Sequence, residues 1–332
     1  MMRRVSVRVP TLAFVLSSLV LLALMGTILV LGLSIDQRWI TGIYLIGRPP
    51  GTEQWQLPPF GPLSHLEVYA RGGGRLGGIH TYLLGSDAGG RDLLALIARG
   101  SLPSLALVTV AVLGRLLVGI IAGIAMGLGS TTVRTISRGM GRWVAGFPYL
   151  ALAIIVVQAL SPESRFGAFV VAMALVGWRD VAEVTAEHVE AVMVQPYATA
   201  AKALGSEGLT FFRRHVLPHL KPALAIEAPF QASAVLVLLA ELGYLGVFLG
   251  KATLLFATGA RGQGSVVTAT LAQPELGQLL SDARSYILQE QWVPVLIPAL
   301  IIGLLALAFE LIGAAPTPGA DRLCFRNRSS GN

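Results

Sequence analysis

The sequence predicts an all-α membrane protein, a bundle of helices that crosses a bilayer several times. Apolar residues make up 54% of the 332 residues and charged residues only 13%, and the mean hydropathy is +0.69. A soluble domain carries about twice that charged fraction. The apolar residues also gather in runs close to the roughly 20 residues that a membrane-spanning helix needs. Composition and clustering together favour a polytopic helix bundle over a soluble fold.

Six apolar runs are predicted to span the membrane. They lie at residues 11–34, 102–129, 142–160, 166–182, 223–249 and 292–313. Gly and Pro inside these runs are compatible with membrane helices, which tolerate both. The fourth run is the weakest, because its strictly apolar part ends near Trp178. The first run is longer than the apolar part of a cleaved signal peptide, so we expect it to be a retained anchor.

The positions of lysine and arginine predict the orientation. They concentrate in the short segments on the side of the N-terminus, whereas the short loop between the third and fourth runs carries only Arg165. Positively charged residues in short loops mark the cytoplasmic side. The long segment 35–101 contains six arginines, but long loops cross a membrane largely regardless of charge. Both termini are therefore predicted to be cytoplasmic, in a multi-pass protein of the cell inner membrane.

These predictions divide the chain into four parts. They are a cytoplasmic tip and first helix at 1–34, an extracytoplasmic segment at 35–101, a core with five helices at 102–315, and a cytoplasmic tail at 316–332. The core includes a cytoplasmic loop, 183–222, and an outer segment, 250–291. Within that outer segment, residues 259–273 are polar and rich in Gly, so we expect a flexible loop there.

Composition and motifs argue against several other classes of protein. The net charge of +7 does not indicate nucleic-acid binding, because the arginines lie between apolar runs and form no basic face. The single Cys324 excludes a disulfide framework, and no Cys/His cluster has metal-ligand spacing. The sequence also lacks the G-x-x-x-x-G-K-[ST], H-E-x-x-H and G-x-S-x-G motifs. We expect no cofactor, no metal and no enzymatic activity.

One charged residue falls inside a predicted span. Arg115 lies one turn before Gly119, in a run where Gly119, Gly123 and Gly127 repeat every four residues. Such spacing lets helix backbones approach closely. A charge near the middle of a membrane should face protein or a water-filled cavity. A structural pair with Glu241 is favoured, while contact with an anionic substrate group and a role in a gate stay open.

Loop 183–222 contains a short helix of small residues. Residues 197–204 read YATAAKAL, and Gly205 follows as a stop signal. The small side chains would let the surface of another protein approach the helix backbone closely. Taken alone, an ordinary amphipathic connecting helix remains the alternative interpretation.

This loop resembles the cytoplasmic loop of bacterial ABC importer permeases, in which E-A-A is followed by G and then by a hydrophobic residue and L-P. The matching residues are Thr199, Ala200, Ala201, Gly205, Val216, Leu217 and Pro218. Thr199 stands where the family has glutamate, so the carboxylate that would pair with the ATPase is absent. The spacing from Gly205 to Leu217 and Pro218 fits the family.

Three outer stretches narrow the resemblance to the C-type permease of dipeptide, oligopeptide and nickel importers. Residues 85–92, GSDAGGRD, resemble that family's GTDxxGRD signature, and 240–246, AELGYLG, resemble its AELSFLG. Residues 277–290 resemble the stretch before its last helix. The signature residues suit a tight turn that caps the next helix, with an ion pair favoured over substrate contact. They are Gly85, Asp87, Gly90, Arg91 and Asp92.

The resemblance covers about residues 80–315 and implies a type I permease fold of six transmembrane helices. It implies a translocation pathway for a peptide-like or other small solute, formed with a second homologous permease. Two separate ABC ATPase subunits and an extracytoplasmic substrate-binding protein are the other partners that it implies. Loop 183–222 would receive the ATPase.

Two other classes of function stay open at this stage. A secondary transporter would contain inverted repeats or paired broken helices with acidic residues at the midplane, and this sequence shows no such repeat. A membrane scaffold or channel subunit would work without an ATPase and without a binding protein.

Overall fold

Helices dominate the protein, with a small β-sheet at one end of the bundle and a helical loop at the other. The computed structural model describes residues 26–27, 29–70, 76–160, 165–205, 208–247, 252–258, 265–271 and 275–314. Most of the first predicted span, 11–34, lies outside these residues, although 29–34 is helical. The predicted tail, 316–332, also lies outside them.

An antiparallel sheet precedes the long helices. Its strands, β1 at Tyr44–Arg48, β2 at Ser64–Ala70 and β3 at Leu76–Tyr82, pair in that order. Helix α1, Arg38–Thr41, packs beside them. The sheet encloses its own apolar cluster, made of Trp39, Tyr44, Phe60, Leu66, Val68 and Tyr82. The sequence signals do not predict this sheet. We call this part of the molecule the sheet end.

Helix α2, Leu93–Leu128, has 36 residues and measures about 54 Å, at roughly 1.5 Å per residue. The predicted helix at 102–129 is confirmed, but α2 begins earlier because Asp92 caps its N-terminus. The Asp92 carboxylate accepts a hydrogen bond from the Ala95 amide at 3.0 Å, and such a cap satisfies an amide that lacks a helical partner. One helix therefore runs from the sheet end through the thickness of a bilayer.

The prediction of one continuous span at 142–160 is wrong, because its first residues belong to a different helix. The chain forms two helices there, α3 at Thr131–Ala145 and α4 at Tyr149–Ala159, which are bent by 97° relative to each other. Pro148 lies at the bend and is the N-cap of α4. Proline disfavours helical geometry in the residue before it, so a helix arriving from α3 must end there.

The rest of the described residues form helices, short turns and one hairpin. They include α5 at Arg165–Met193, α6 at Pro196–Ala203, α7 at Gly208–Phe211, a π-helical turn at Phe212–Val216, α8 at Leu217–Tyr244, a 3-10 turn at Gly277–Leu280, α9 at Ala283–Leu288 and α10 at Val293–Gly313. The sixth predicted span coincides with α10, whereas the fourth, 166–182, matches only the first part of α5, which continues to Met193. The fifth, predicted at 223–249, is displaced toward the N-terminus, because α8 starts at Leu217 and ends at Tyr244.

Within the described residues, three segments are long and apolar enough to cross a membrane: α2, Phe212–Tyr244 and α10. The bent pair of α3 and α4 would be a fourth if both helices belong to one crossing. Helix α5 is not among them, because Arg179, Asp180 and Glu183 follow its apolar half. The count of six spans therefore stays a prediction.

The prediction of a flexible loop at 259–273 is wrong for part of that range, because Ser265–Leu271 forms a strand. Strand β4, Ala252–Thr258, pairs with strand β5, Ser265–Leu271, in an antiparallel hairpin. The sequence of β5, SVVTATL, is rich in β-branched residues, which favour a strand more than the nearby glycines favour a loop.

Helices α2 and α5 run parallel in very close contact. Gly119 of α2 faces Val181 of α5, and Gly123 and Gly127 face Thr185 and Val189 in the same register. A Cβ atom on Gly119 would come within 2.5 Å of the Val181 Cβ, and one on Gly127 within 2.6 Å of Val189 Cγ1. Real Cβ atoms do not approach that closely, so the three glycines allow the contact. The small-residue pattern predicted for this helix is confirmed.

Replacing Gly123 by alanine tests this contact. We expect Gly123→Ala to lower the melting temperature of the detergent-solubilised protein, because its Cβ would overlap Thr185 and the Ala182 carbonyl. Gly303→Ala on α10 is the matched control, since no described atom lies within 4 Å of a Cβ there. Alanine gains about 1 kcal/mol over glycine in a helix, so the control should hold or raise the melting temperature. Equal stabilisation by both changes would contradict the packing.

Candidate functional site

Loop 183–222 folds around a small apolar cluster of its own. Ala198 on α6 is 1% exposed and packs with Val189, Val192, Phe211 and Val216. This cluster fixes α6 against the end of α5 and the start of α8. The opposite face of α6 is exposed, and it carries Thr199 and Ala200.

The loop closes through a glycine and an aromatic contact. Gly205 has φ +80°, a left-handed conformation that glycine adopts without strain, and it ends the chain segment of α6 as the sequence predicts. The Tyr197 ring stacks on His219, with ring centroids 6.1 Å apart. The start of α6 therefore contacts the start of α8. We call this part of the molecule the loop end.

The seven predicted loop residues do not form one surface. Thr199, Ala200, Gly205 and Pro218 are exposed, Ala201 and Leu217 are half-buried, and Val216 is only 1% exposed. Val216 thus belongs to the cluster that holds the loop together.

Two exposed apolar side chains of the loop were not among the predicted residues. Leu204 is 89% exposed and Val194 is 83% exposed, one on each side of α6. Single exposed apolar residues are common, but these two flank the small-residue face of a loop that also contains several charged residues. The signal was present in the sequence as apolar residues at the ends of the YATAAKA segment.

Arg115 is buried among three helices. It is 2% exposed, and its Nε donates a hydrogen bond to the Met173 carbonyl of α5 at 2.8 Å. One terminal nitrogen donates to Gln231 Oε1 of α8 at 3.0 Å, and Gln231 Nε2 donates in turn to Glu227 Oε1 at 2.8 Å. Gly177 of α5 lies directly against the Arg115 side chain, and only glycine fits there because a Cβ atom would overlap the guanidinium. The side chain is enclosed by protein at this point.

The expected pair between Arg115 and Glu241 is wrong. Glu241 lies near the end of α8 and is exposed. Arg115 instead contacts Gln231 of α8. Gln231 and Glu241 are about 15 Å apart along that helix, at roughly 1.5 Å per residue. Nothing in the local sequence distinguishes Gln231 as the partner.

The 85–92 turn is a compact hydrogen-bonded unit at the sheet end. Asp87 Oδ1 accepts hydrogen bonds from the amides of Gly89 and Arg91, both at 2.9 Å, and its Oδ2 accepts one from Arg91 Nε at 2.6 Å. The Asp92 Oδ2 atom lies 2.7 Å from His80 Nε2 of β3. Gly85 and Gly90 have φ of +86° and +70°. The residues form an ion pair and a helix cap, which is the structural interpretation favoured from the sequence.

A contact across most of the chain ties this turn to the segment before α10. The Ala88 amide donates a hydrogen bond to the Tyr286 hydroxyl at 2.8 Å, and the two residues are 198 positions apart. Asp282 lies beside them. Burial and, to a smaller extent, the nearby Asp87 carboxylate raise the pKa of the Asp282 carboxyl to about 6, while Arg91 acts in the opposite direction. Burial also raises the pKa of the Tyr286 hydroxyl.

In the described part of the chain, no three His, Cys, Asp or Glu side chains are arranged to hold a metal ion. His215 and His219 lie one turn apart, and the ring of each faces Tyr197. The loop, the Arg115 contacts and the 85–92 turn are therefore held together by packing, hydrogen bonds and ion pairs.

Helices that are long and apolar enough to cross a membrane, packed around a buried arginine, are the architecture of a multi-pass membrane protein. The chain matches the family described as binding-protein-dependent transport system inner membrane component over residues 116–319, and it belongs to that family. It is a permease subunit of the ABC importers, of the C-type found in peptide transporters. A secondary transporter or an independent scaffold is not favoured.

Curated relatives support the same family. The chain is 29% identical to the di/tripeptide transport system permease protein DppC of Pseudomonas aeruginosa, over 71% of each chain. It is 29% identical to the dipeptide permease DppC of Haemophilus influenzae, over 71% of this chain and 72% of that one. The glutathione transport system permease GsiD of Pectobacterium atrosepticum is 27% identical, over 69% of each chain.

A solved structure also resembles the chain. It is described as an amino acid ABC transporter with histidines, and the match has 19% sequence identity and a TM-score of 0.44. The match covers 70% of this chain and 94% of the other.

The raised pKa of Asp282 predicts how stability depends on pH. The unfolded carboxyl has an ordinary pKa of 3.8 and the folded one about 6, so folding favours the protonated form. The contribution of the Asp282 carboxyl to the free energy of unfolding is fully present below about pH 4, and it is lost as the pH rises through about 6. We expect Asp282→Asn to raise the melting temperature at pH 7.5, by roughly 1–3 kcal/mol in stability, with little effect near pH 4.

Thermal unfolding in detergent at the two pH values measures this effect. Asp36→Asn is the control, because Asp36 is exposed at the sheet end and, among the described residues, forms its ion pair with the exposed Arg38. A variant Asp282→Asn that is destabilised equally at both pH values would contradict the assignment.

Arg115 gives a second prediction. We expect Arg115→Met to lower the stability by roughly 1.5–3 kcal/mol, the range for hydrogen bonds to a charged group, because contacts to α5 and α8 are lost together. Arg213→Met, at an exposed position of the loop, is the control. If Arg115 is structural, the variant that remains folded should keep the wild-type solute concentration for half-maximal uptake. Normal melting combined with weakened solute affinity would instead assign it to the pathway.

Proposed function

We propose that this permease pairs with a second, related permease to form the pathway of an importer for a peptide-like solute. The names of its relatives, which refer to dipeptides, tripeptides and glutathione, support this class of solute. Two separate ATPase subunits would drive the cycle, and an extracytoplasmic binding protein would deliver the solute. The permease itself would hydrolyse no ATP.

The proposed orientation places the loop end in the cytoplasm and the sheet end outside. The lysines and arginines of the short segments support it. Both termini would then be cytoplasmic. The segment 35–101, which contains the sheet, would be the extracytoplasmic part, and 102–315 would be the transport core. The residues 1–34 and 316–332 would be the first helix and the cytoplasmic tail.

The exposed face of α6 is the proposed docking surface for one ATPase. The observation that carries this assignment is the exposure of Leu204, at 89%, beside the small side chains Thr199 and Ala200. Burying one leucine is worth about 1.5–3 kcal/mol, and small neighbours let a partner reach the helix backbone. Thr199 offers no carboxylate, so apolar contact and backbone approach would hold the partner.

The loop is built to transmit force to the bundle. Ala198 is held under Val189 and Val192 at the end of α5, and Val216 leads directly into α8. A partner that pushes on α6 therefore pushes on two helices of the core. This is rigid-body coupling between packed elements.

A single substitution tests the docking surface. We expect Leu204→Asp to leave the permease folded, because the side chain is exposed, and to reduce both the ATPase retained on the purified complex and ATP-dependent peptide uptake by proteoliposomes. Leu57→Asp is the matched control, since Leu57 is 74% exposed on the sheet side of the chain. It should leave ATPase retention unchanged. Wild-type ATPase retention by Leu204→Asp would contradict this surface.

A further inference from the structure

Helix α3 has two chemically opposite faces. Its sequence, TTVRTISRGMGRWVA, contains three arginines and no acidic residue. Arg134, Arg138 and Arg142 recur every four residues and share one face. The other face carries the large apolar side chains Val133, Ile136, Met140 and Trp143. A strongly amphipathic, basic helix of low overall hydrophobicity is typical of helices that lie in a membrane surface.

The polar face of α3 is turned toward the protein. Arg138 donates a hydrogen bond to Glu190 of α5 at 2.9 Å, and Arg134 donates one to the Gly127 carbonyl of α2 at 3.1 Å. Gly141, on the same side, is buried against Arg179. A cleft of about 570 Å³ separates α3 from α5 there, and charged side chains of both helices line it.

The apolar face of α3 is turned away from the protein. Trp143 is 76% exposed, Met140 59%, Ile136 57% and Val133 42%. This arrangement is the reverse of a helix on a water-soluble bundle, which buries its apolar side. Each such side chain forgoes about 1.5–3 kcal/mol when it is left in water. No described residue covers this face, and an apolar medium would stabilise it.

The position of α3 indicates which medium that is. It follows α2 directly and meets α4 at 97°. Helix α4 has only 11 residues and rises about 16 Å, at roughly 1.5 Å per residue, whereas the hydrocarbon core of a bilayer is about 30 Å thick. A crossing through α4 is complete only if α3 already lies inside the bilayer boundary. Surface helices bury their apolar face to about 5–10 Å, which supplies much of the difference.

We propose that α3 lies in the plane of the bilayer interface, with Ile136 and Met140 among the acyl chains and Trp143 at the headgroup level. In the orientation proposed above this is the inner leaflet, but the contact with lipid does not depend on that orientation. Arg142 lines the edge of the cleft beside α5, but it is exposed and forms no ion pair with any described residue, so it is also available to lipid phosphates. The occupant of the apolar face is therefore phospholipid, and a face covered by the second permease is the alternative outcome.

Fluorescent probes at single cysteines test this proposal in the whole transporter complex, embedded in lipid nanodiscs. The background is Cys324→Ser, and the probes are attached in Ile136→Cys and Met140→Cys, with Thr135→Cys on the opposite face as the control. We expect lipids with brominated acyl chains to quench the probes at 136 and 140, and aqueous iodide to leave them bright. The probe at 135 should show the reverse.

The outcomes separate the alternatives. Strong quenching at 136 and 140 by iodide would overturn the proposal, because the face would then be in water. Protection of both positions from iodide and from brominated lipid would also overturn it, because the second permease would then cover the face. Arg142→Glu should weaken the quenching by brominated lipid at 140, through repulsion of lipid phosphates, whereas Arg142→Lys should preserve it. Equal quenching in both variants would remove Arg142 from the contact.

Discussion

The rest of the structure depends on the parallel packing of α2 against α5. Glycines on α2 remove the side chains that would hold the two backbones apart, and Gly177 on α5 does the same for the arginine that crosses between them. Lipid tails are as apolar as the interior of a helix bundle, so the hydrophobic effect does not drive membrane helices together. Close van der Waals contact holds them instead. The two helices therefore act as one rod that reaches from the sheet end to the loop end.

Both ends of this rod are fixed to other parts of the chain. At the sheet end, Asp92 caps α2 and contacts His80 of β3, so the helix and the sheet share a side chain. At the loop end, α5 runs without a break into the residues that pack on Ala198. In the function proposed above, a displacement of the loop would therefore reach the bundle, and the close glycine contact would carry it between α5 and α2.

Local patterns predicted the parts of the molecule that local forces decide. The repeated glycines, the cap at Asp92 and the stop at Gly205 follow from residue type and spacing, and the structure contains all three. Partners that are distant in sequence could not be predicted in this way: Gln231 is 116 residues from Arg115, and Tyr286 is 198 residues from Ala88. The run 142–160 was predicted as one span from its apolar content, whereas the structure divides it between α3 and α4. Leu204 was missed because it matched no motif residue.

The contacts between the helices of the bundle differ in kind, although α2, α5 and α8 share one apolar core. The α2 glycines lie directly against Val181, Thr185 and Val189 of α5, and this close packing is lost if the helices separate. The link from this rod to α8 is different, since it includes one hydrogen bond from Arg115 to Gln231, with Glu227 behind it. A hydrogen bond to a charged group contributes about 1.5–3 kcal/mol, which an ATP-driven conformational change can break and re-form. Because α8 is also the helix that leaves the loop, the hydrogen bond to Gln231 lies on a helix that would receive the motion in the proposed coupling.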